Sequence, residues 1–393
     1  MPFCLALVAT VLAAAPDAPD YEPQICRSAA AYRGAPLHPP LPASSLAGAA
    51  GDFDTPLDDA LCAALEKDIE WILANTSAPG ITAAVGMPDR GMWSTSRGLA
   101  ITSPETPLAK TSYFHWASVG KAFTAVVVMQ LAEEGKIAYA DSLAKWSPDL
   151  PNAQAITIDH LLTHTSGLFS FNADLKFRGQ LRYHSPQELI DIAARHGCAF
   201  CPGENWNYSN TGYVLLARII EEIEGLALNE VIDRRILQPL RLEETIALAP
   251  KQHPAGLVVG HVQKKPDSQF EPTTPFGAGI IAGSARDMVR FWQALLAGEL
   301  VPQATVVEAY ARLYPMFQQP TYYGRGVMLY ELPAGAAKRT WLGHSGGTPG
   351  MKTVVAYEPQ SRIFVAVALN GDASAEACAN KLLQTVTQFR AEP

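Results

Sequence analysis

Strand-like runs lie near both ends of this chain, and the stretch between them has mainly helical character. Residues 81–86 and 91–95 form two short runs separated by residues 88–90, which predicts a hairpin. Near the other end, residues 353–357 and Ile363–Leu369 form the clearest strand patterns. Because strands at both ends need partners, the pattern predicts one sheet built from the two ends of the chain, with a helical region inserted.

Helix signals flank the predicted strands. Apolar residues recur at helical spacing over residues 57–72, and Pro79-Gly80 ends that pattern. Residues 374–389 predict a final amphipathic helix with Ser374 as its N-cap. We therefore predict an α+β fold of the α/β sandwich type. Its antiparallel sheet is flanked by the N- and C-terminal helices and carries an inserted, mainly helical domain, and the expected cleft lies between sheet and insert.

The first 55 residues differ from the rest of the chain in composition. Residues 3–15 form a short apolar run that ends in small residues, which is typical of a secretory signal peptide. The run is shorter than the roughly 20 apolar residues of a membrane-spanning helix. We expect a cleaved signal peptide at 1–15, a periplasmic or secreted protein, and no integral membrane segment. Residues 16–55 are rich in Pro, Ala, Gly and Ser and predict a flexible arm. The folded domain then spans 56–393, with sheet parts at 56–117 and 276–393 and a helical insert at 118–275.

Charge excludes one class of partner. The 393 residues include 38 acidic and 30 basic side chains, for a formal net charge of -8, and no run of Lys or Arg occurs. Nucleic-acid binding needs clustered cations to neutralise phosphates, so nucleic acid is not an expected partner. A small-molecule or peptide-like substrate fits this composition better.

Cysteine and histidine spacing does not predict a metal site. Cys198 and Cys201 have C-x-x-C spacing, but no second such pair completes a zinc site. A disulfide within this loop and a pair of free thiols both remain open. His160 and His164 stand at i and i+4, yet Leu161 replaces the glutamate of the metal-binding motif. We interpret both histidines as locally hydrogen-bonded residues at a helix end, and we predict no metal and no cofactor.

The sharpest local signal is Ser118-x-x-Lys121 at the start of a predicted helix. This spacing places the hydroxyl and the amine on one helix face, one turn apart. A serine hydroxyl is a weak nucleophile until a base removes its proton, and a desolvated lysine can be that base. The helix N-terminus also offers backbone N–H groups to a developing oxyanion.

Two further elements follow along the chain. Tyr208 and Asn210 stand in a turn just before a predicted helix, where they can supply a proton-transfer group and a hydrogen-bonding amide. The run 343–347 leads into a predicted strand, and its glycines allow a substrate backbone to lie against the strand edge. That run also matches the G-x-S-x-G elbow of α/β-hydrolases. The elbow needs a histidine later in the chain, however, and none occurs after His344.

The trio of Ser118-x-x-Lys121, Tyr208-x-Asn210 and His344-x-Gly346 resembles that of the serine β-lactamase-like or penicillin-binding family, of the class C β-lactamase and D-alanyl-D-alanine carboxypeptidase type. The resemblance runs from about residue 57 to 390 and includes the segments 161–168, 277–279 and 284–288. It implies the β-lactamase/transpeptidase-like fold.

The resemblance implies a catalytic role for each motif residue. Ser118 would form the acyl-enzyme and Lys121 would activate it. Tyr208 would pass a proton to the leaving group and help to activate the deacylating water, while Asn210 would hold the amide of the acyl side chain.

The third motif would complete the site. His344 would be a further catalytic residue, and Ser345 and Gly346 would bind the substrate. The backbone N–H of Gly347 would join that of Ser118 in the oxyanion hole.

His344 stands where many members of that family carry lysine. Lysine offers a fixed positive charge to a substrate carboxylate, whereas histidine is only partly charged near neutral pH. His344 fits a carboxypeptidase variant, an esterase or an amidase at least as well as an efficient β-lactamase. We expect one of Arg325, Arg339 and Lys352 to restore the charge.

The combined pattern predicts a serine hydrolase that acts through an acyl-enzyme on Ser118 and cleaves an amide or ester bond in a small or peptide-like substrate, with β-lactams as candidate ligands. A carboxylesterase of the same family and a slowly deacylating penicillin-binding sensor are the alternatives. Because the first and last helices pack side by side in the family, the resemblance also suggests a disulfide between Cys62 and Cys378.

Overall fold

The computed structural model describes residues 21–391, apart from 110, 179, 181, 268, 318–319 and 335–336. The predicted signal peptide at 1–15 lies outside the described residues. Among the helices that are described, none is both long enough and apolar enough to cross a bilayer.

The elements follow in chain order. The helices are α1 (Asp59–Asn75), α2 (Gly120–Glu133), α3 (Ile158–Leu162), α4 (Leu175–Arg178), α5 (Pro186–His196), α6 (Asn210–Glu224), α7 (Leu228–Ile232), α8 (Gln238–Leu240), α9 (Ala285–Ala297), α10 (Gln303–Ala309) and α11 (Ala375–Ala391). The strands are β1 (Gly80–Met87), β2 (Gly91–Thr102), β3 (Glu105–Pro107), β4 (Phe114–His115), β5 (Thr245–Ala247), β6 (Gly260–Val262), β7 (Lys265–Asp267), β8 (Ile281–Gly283), β9 (Tyr314–Pro315), β10 (Thr321–Tyr323), β11 (Met328–Ala334), β12 (Ala337–Thr348), β13 (Met351–Glu358) and β14 (Ile363–Leu369).

One large antiparallel sheet joins the two ends of the chain. Its strand order is β3-β2-β1-β14-β13-β12-β11-β10-β9. β1 pairs with β14, with Ala83 opposite Val367, and it pairs with β2 through the predicted hairpin. The prediction of a single antiparallel sheet built from both chain ends is confirmed.

Different helices cover the two faces of the sheet. Along β14, Val365 and Val367 belong to the apolar cluster that includes the inner faces of α1 and α11. The alternating Phe364 and Ala366 belong instead to the cluster that contains Phe291 of α9. Side chains of a strand point alternately to opposite faces, so a fully apolar strand such as β14 has to be covered on both. The predicted flanking of the sheet by the first and last helices is confirmed, and α9 covers the second face.

Side-chain caps determine where the flanking helices begin. At the start of α1, Asp58 accepts hydrogen bonds from the N–H groups of Ala60 and Leu61. At the start of α11, Ser374 Oγ accepts from the N–H of Ala377, as its predicted N-cap role requires. These bonds satisfy backbone donors that have no partner within the helix.

A small sheet in the order β4-β8-β5 anchors the segment that precedes α2. His115 of β4 lies opposite Ala282 of β8. The next residue, Trp116, donates its N–H to Ile281 O at 2.8 Å and its indole N–H to Gly283 O at 3.0 Å. The chain is therefore held firmly at the point where it enters α2.

The segment 21–55 lies against the body of the molecule and does not form the loose arm that its composition suggests. The N–H of Ala30 donates to Pro202 O at 2.8 Å. Leu46 and Ala49 are fully buried in the main apolar cluster. A few well-placed apolar side chains and backbone donors are enough to dock this segment, and its average composition does not show them.

The cysteine pairing differs from what the sequence suggests. Cys201 is bonded to Cys26, 175 positions earlier, and Cys198 is a buried free thiol. Cys62 and Cys378 are also free. Neither alternative left open for Cys198 and Cys201 holds, because only Cys198 of the two is free. The suggested Cys62–Cys378 bond is wrong. The docked segment 21–55 brings a more distant partner to Cys201 than the C-x-x-C spacing offers.

We expect Cys26→Ser to lower the melting temperature, because the disulfide closes a very long loop and so restricts the unfolded chain. The free energy of unfolding should fall by about 2–5 kcal/mol. Differential scanning calorimetry in non-reducing buffer measures this, with Cys62→Ser as the matched control at a free thiol. A melting temperature equal to that of the control would contradict the assignment.

Candidate active site

Ser118 lies in the 3₁₀ turn Ala117–Val119, which leads directly into α2. Ala117 has a left-handed φ of 48°, a conformation uncommon for a residue with a side chain. Gly279 packs so closely that a Cβ there would come within 2.6 Å of Ala117 O. This tight turn leaves Ser118 partly exposed at the mouth of an otherwise buried helix.

Lys121 is fully buried one turn further along. Its Nζ donates to Ser118 Oγ at 3.0 Å and to Ala278 O at 2.9 Å. Burial lowers the pKa of Lys121 well below its ordinary value of 10.5, and no carboxylate among the described residues offsets this. The lowered pKa increases the share of neutral amine near pH 7, and a neutral amine at this distance can accept the serine proton.

Tyr208 faces the same pair. Its ring centroid lies 5.0 Å from Lys121 Nζ, and its hydroxyl lies next to Ser118. Burial raises the pKa of the Tyr208 hydroxyl, so the group stays protonated near neutral pH and can donate. Trp206 and Phe317 lie beside its ring, at centroid distances of 6.4 and 6.2 Å from Tyr208. This side of the site therefore has an aromatic wall.

Asn210 begins α6 and belongs to a small polar network. Its Nδ2–H donates to Asn172 Oδ1 at 2.8 Å, and its backbone N–H donates to Ser170 Oγ at 2.9 Å. The Ser170 hydroxyl donates in turn to Asn172 Oδ1 at 2.6 Å. Ser170 and Asn172 belong to no motif. The only sequence signal for their place beside Asn210 is that they follow shortly after the segment 161–168.

His344 is fully buried on β12. Its Nδ1–H donates to Ser345 O at 2.7 Å, and its Nε2 accepts from the Tyr323 hydroxyl at 3.1 Å. Burial, followed by the charge of Lys121, lowers the pKa of His344 to about 3. The imidazole is therefore neutral near pH 7 and supplies no positive charge to a substrate carboxylate.

Ser345 points away from the nucleophile, which corrects its predicted role in substrate binding. Its hydroxyl lies 2.7 Å from the Tyr330 hydroxyl and donates to Glu376 Oε1 at 2.7 Å. Glu376 belongs to α11, which covers the opposite face of the sheet. Neighbours on a strand alternate between faces, so His344 and Ser345 cannot both face α2.

Gly346 faces the nucleophile instead. A Cβ at this position would lie 3.0 Å from Ser118 N, so only glycine allows the strand to approach so closely. In the described structure, β11 pairs with β12 only as far as Gly343, whereas β13 pairs with it as far as Thr348. The edge of β12 that contains Gly347 therefore has no pairing with β11 in the described ranges, and it lies close to Ser118.

Two of the three candidates for the missing lysine charge are paired with carboxylates elsewhere. Arg325 Nε pairs with Asp159 Oδ1 at 2.6 Å, and Arg339 Nη2 bonds to Glu358 Oε2 at 2.8 Å. Lys352 Nζ lies 3.4 Å from a carbonyl at the end of β12. Both guanidinium groups already have carboxylate partners, so Lys352 is the remaining candidate.

The two histidines of the i, i+4 pair have separate partners. His160 Nδ1 accepts from the N–H of Thr157 at the start of α3, whereas His164 Nδ1 accepts from the N–H of Ser209 at 3.2 Å. His160 is locally bonded, as we interpreted it. His164 instead bonds to the loop that carries Tyr208, which the i, i+4 spacing did not predict.

Tyrosines complete the buried base of the site, and no sequence motif indicated them. The ring centroid of Tyr213 lies 5.6 Å from Lys121 Nζ, and its hydroxyl donates to Leu162 O at 2.9 Å. The Tyr323 hydroxyl lies 3.3 Å from that of Tyr213 and also contacts His344. The arrangement as a whole combines a nucleophile, an uncharged base, a proton donor and a glycine-lined strand edge.

Comparison with known proteins agrees with this geometry. The family model described as Beta-lactamase matches residues 65–388. Penicillin-binding protein 4* of Bacillus subtilis (strain 168) is 33% identical over 281 residues, which cover 66% of this chain and 61% of that protein, less than two thirds of its length. Esterase EstB of Burkholderia gladioli is 26% identical over 292 residues, 64% of this chain and 74% of the esterase. The structure of D-amino acid amidase from Ochrobactrum anthropi SV3 complexed with L-phenylalanine superposes with a TM-score of 0.76 at 23% identity. That superposition covers 84% of this chain and 100% of the amidase, and it shows a shared fold.

The buried setting of His344 predicts its titration. Because its pKa is lowered to about 3, the ring should stay neutral, with the proton on Nδ1, from pH 9 down to pH 5. Long-range ¹H–¹⁵N spectra of protein labelled at histidine measure this, and the His344→Gln variant identifies the signal. A midpoint near the ordinary value of 6.5 would contradict the assignment.

Proposed function

We propose that this chain, which belongs to the beta-lactamase family, is a serine hydrolase that cleaves an amide or ester bond through an acyl-enzyme on Ser118. The observation that carries the proposal is the 3.0 Å contact between Lys121 Nζ and Ser118 Oγ. Because the amine is fully buried and has its pKa lowered, it can act as a base rather than as a fixed charge.

The first half of the reaction follows from this contact. Lys121 takes the proton of Ser118 Oγ as that oxygen attacks the carbonyl carbon of the substrate. The backbone N–H groups of Ser118 and Gly347 stabilise the oxyanion that forms. Tyr208 then gives its proton to the leaving oxygen or nitrogen and recovers one from Lys121, so the scissile bond breaks without releasing a bare anion.

Deacylation reverses the direction of proton transfer. A water molecule attacks the acyl carbonyl and gives a proton to Tyr208, which at the same time passes its own proton to neutral Lys121. Ser118 Oγ then takes a proton back as the acid product leaves. Asn210, held by Asn172, is placed to bind an amide on the acyl side of the substrate. The free edge of β12 supports an extended, peptide-like acyl group, which can pair with it as an added strand.

One specific observation favours an esterase or amidase that acts on substrates without a free carboxylate. His344 is neutral where a fixed positive charge would hold a carboxylate, and Arg325 and Arg339 are paired with carboxylates elsewhere. The amine of Lys352, the third candidate, donates to Thr348 O at 3.4 Å. The similarity to Esterase EstB supports the same substrate class. The similarity to Penicillin-binding protein 4* supports β-lactams as ligands that acylate Ser118.

Export belongs to the same proposal. The apolar run at 3–15 supports secretion to the periplasm or the medium. The Cys26–Cys201 disulfide supports it as well, because such bonds persist in oxidising compartments.

We expect Ser118→Ala and Lys121→Met each to lower kcat/KM for p-nitrophenyl acetate by at least about a thousandfold. Circular dichroism should remain that of the wild type, because the Ser118 hydroxyl makes few packing contacts. Ser112→Ala, at a partly exposed serine outside the site, is the matched control. A Ser118→Ala variant that keeps more than a tenth of the wild-type rate would overturn the proposal.

A D-alanyl-D-alanine peptide and its C-terminal amide, assayed side by side, distinguish substrates with a free carboxylate from substrates without one. Because His344 is neutral, we expect the amide to be cleaved faster.

A further inference from the structure

Two hydrogen bonds to a single residue flank Tyr208. The carbonyl of His164 accepts from the N–H of Asn207 at 3.0 Å. The Nδ1 of His164 accepts from the N–H of Ser209 at 3.2 Å. The residues before and after Tyr208 are therefore both tied to His164, although it lies on a different segment of the chain.

The ring of His164 also supports the ring of Tyr208. The two centroids are 4.2 Å apart with an interplanar angle of 39°. His164 also contacts Tyr323, at a centroid distance of 4.4 Å. His164 is 1% exposed, so no solvent separates these rings. Backbone bonds and ring contact together restrict where the Tyr208 hydroxyl can lie.

The charge state of His164 suits this role. Burial, followed by the charges of Lys121 and His344, lowers the pKa of His164 well below 6.5. A neutral ring keeps the Nδ1 lone pair that Ser209 needs, and its proton then sits on Nε2. That Nε2 is buried and has no hydrogen-bond partner among the described residues. A protonated ring would lose the acceptor and place a buried positive charge close to the Lys121 amine.

The backbone at this position narrows the choice of substitutions. His164 has a left-handed φ of 60°. Glycine adopts this conformation without strain, and asparagine tolerates it better than most residues. His164→Gly thus removes the ring while the backbone stays relaxed. His164→Asn keeps an acceptor at the place of Nδ1, because Oδ1 and Nδ1 are both attached to Cγ.

We propose that His164 is a positioning residue that clamps Tyr208 against Ser118 and Lys121 for proton transfer. This rests on the proposed function, because the clamp matters only if Tyr208 moves a proton. In this role His164 acts through Tyr208 and not by a hydrogen bond to Ser118, of which the described residues show none. The two histidines of the i, i+4 pair thus have different roles. His160 caps α3, and His164 holds the loop that carries Tyr208.

The test measures steady-state hydrolysis of p-nitrophenyl acetate by His164→Gly, His164→Asn, Tyr208→Phe and the double variant His164→Gly/Tyr208→Phe. We expect His164→Gly to lower kcat by about 10- to 100-fold, since a misplacement of about 1 Å has that effect. KM should change by less than about threefold, because no substrate contact is lost. His164→Asn should recover most of kcat by restoring the bond to Ser209.

The double variant separates a clamp from a general structural role. If His164 acts through Tyr208, His164→Gly should cost less than about twofold in the Tyr208→Phe background. His160→Ala is the matched control, because it removes the neighbouring histidine and its cap on α3 without touching the Tyr208 loop. We expect it to lower the melting temperature and to leave kcat within about twofold of the wild type.

Distinct outcomes overturn distinct claims. Equal costs of His164→Gly in both backgrounds, or a His164→Asn variant as slow as His164→Gly, would overturn the clamp. A Ser118→Ala or Tyr208→Phe variant that keeps more than about a tenth of the wild-type kcat would instead overturn the proposed function. If His164→Gly fails to fold, the Asn variant alone decides: a folded His164→Asn with kcat at least a hundredfold below the wild type would contradict the clamp, and near wild-type kcat would support it.

Discussion

A lysine amine buried against a serine hydroxyl without a counter-charge is the constraint on which the rest of the site depends. Removing an ammonium group from water costs several kcal/mol, so a buried lysine without an acidic partner is driven toward its neutral form. Lys121 is buried and has no acidic partner within the part of the chain that the structure describes, and its two hydrogen bonds go to Ser118 and to a backbone carbonyl. Burial of a lysine would destabilise an ordinary core, but here it produces a base next to a nucleophile.

The sheet supplies the other half of the site through strict alternation of side chains. On β12, His344 and Gly346 face α2, while Ser345 faces α11. Glycine at 346 allows the strand to approach Ser118 N, and the end of β11 pairing leaves the edge free for a substrate backbone. Because His344 is buried beside Lys121, it stays neutral and supplies no positive charge to a substrate carboxylate.

Sequence patterns predict the parts of this structure that depend on neighbours along the chain. The spacing of Ser118 and Lys121 is enough to place them on one helix face, and the strand patterns at both chain ends are enough to predict the sheet. The pairing of Cys201 could not be predicted, because it depends on how a distant, docked segment lies. The orientation of Ser345 required the register of β12, and the role of His164 required its backbone contacts to another loop.

A crystal structure with phenylboronic acid would show whether Ser118 and Lys121 act as nucleophile and base, because boron forms a reversible covalent bond to an activated serine and mimics the tetrahedral intermediate. We predict boron bonded to Ser118 Oγ, Lys121 Nζ within hydrogen-bond distance of that oxygen, and one boronate oxygen directed at the N–H groups of Ser118 and Gly347. Boron on any other side chain, or a Lys121 amine turned away from Ser118, would contradict these roles.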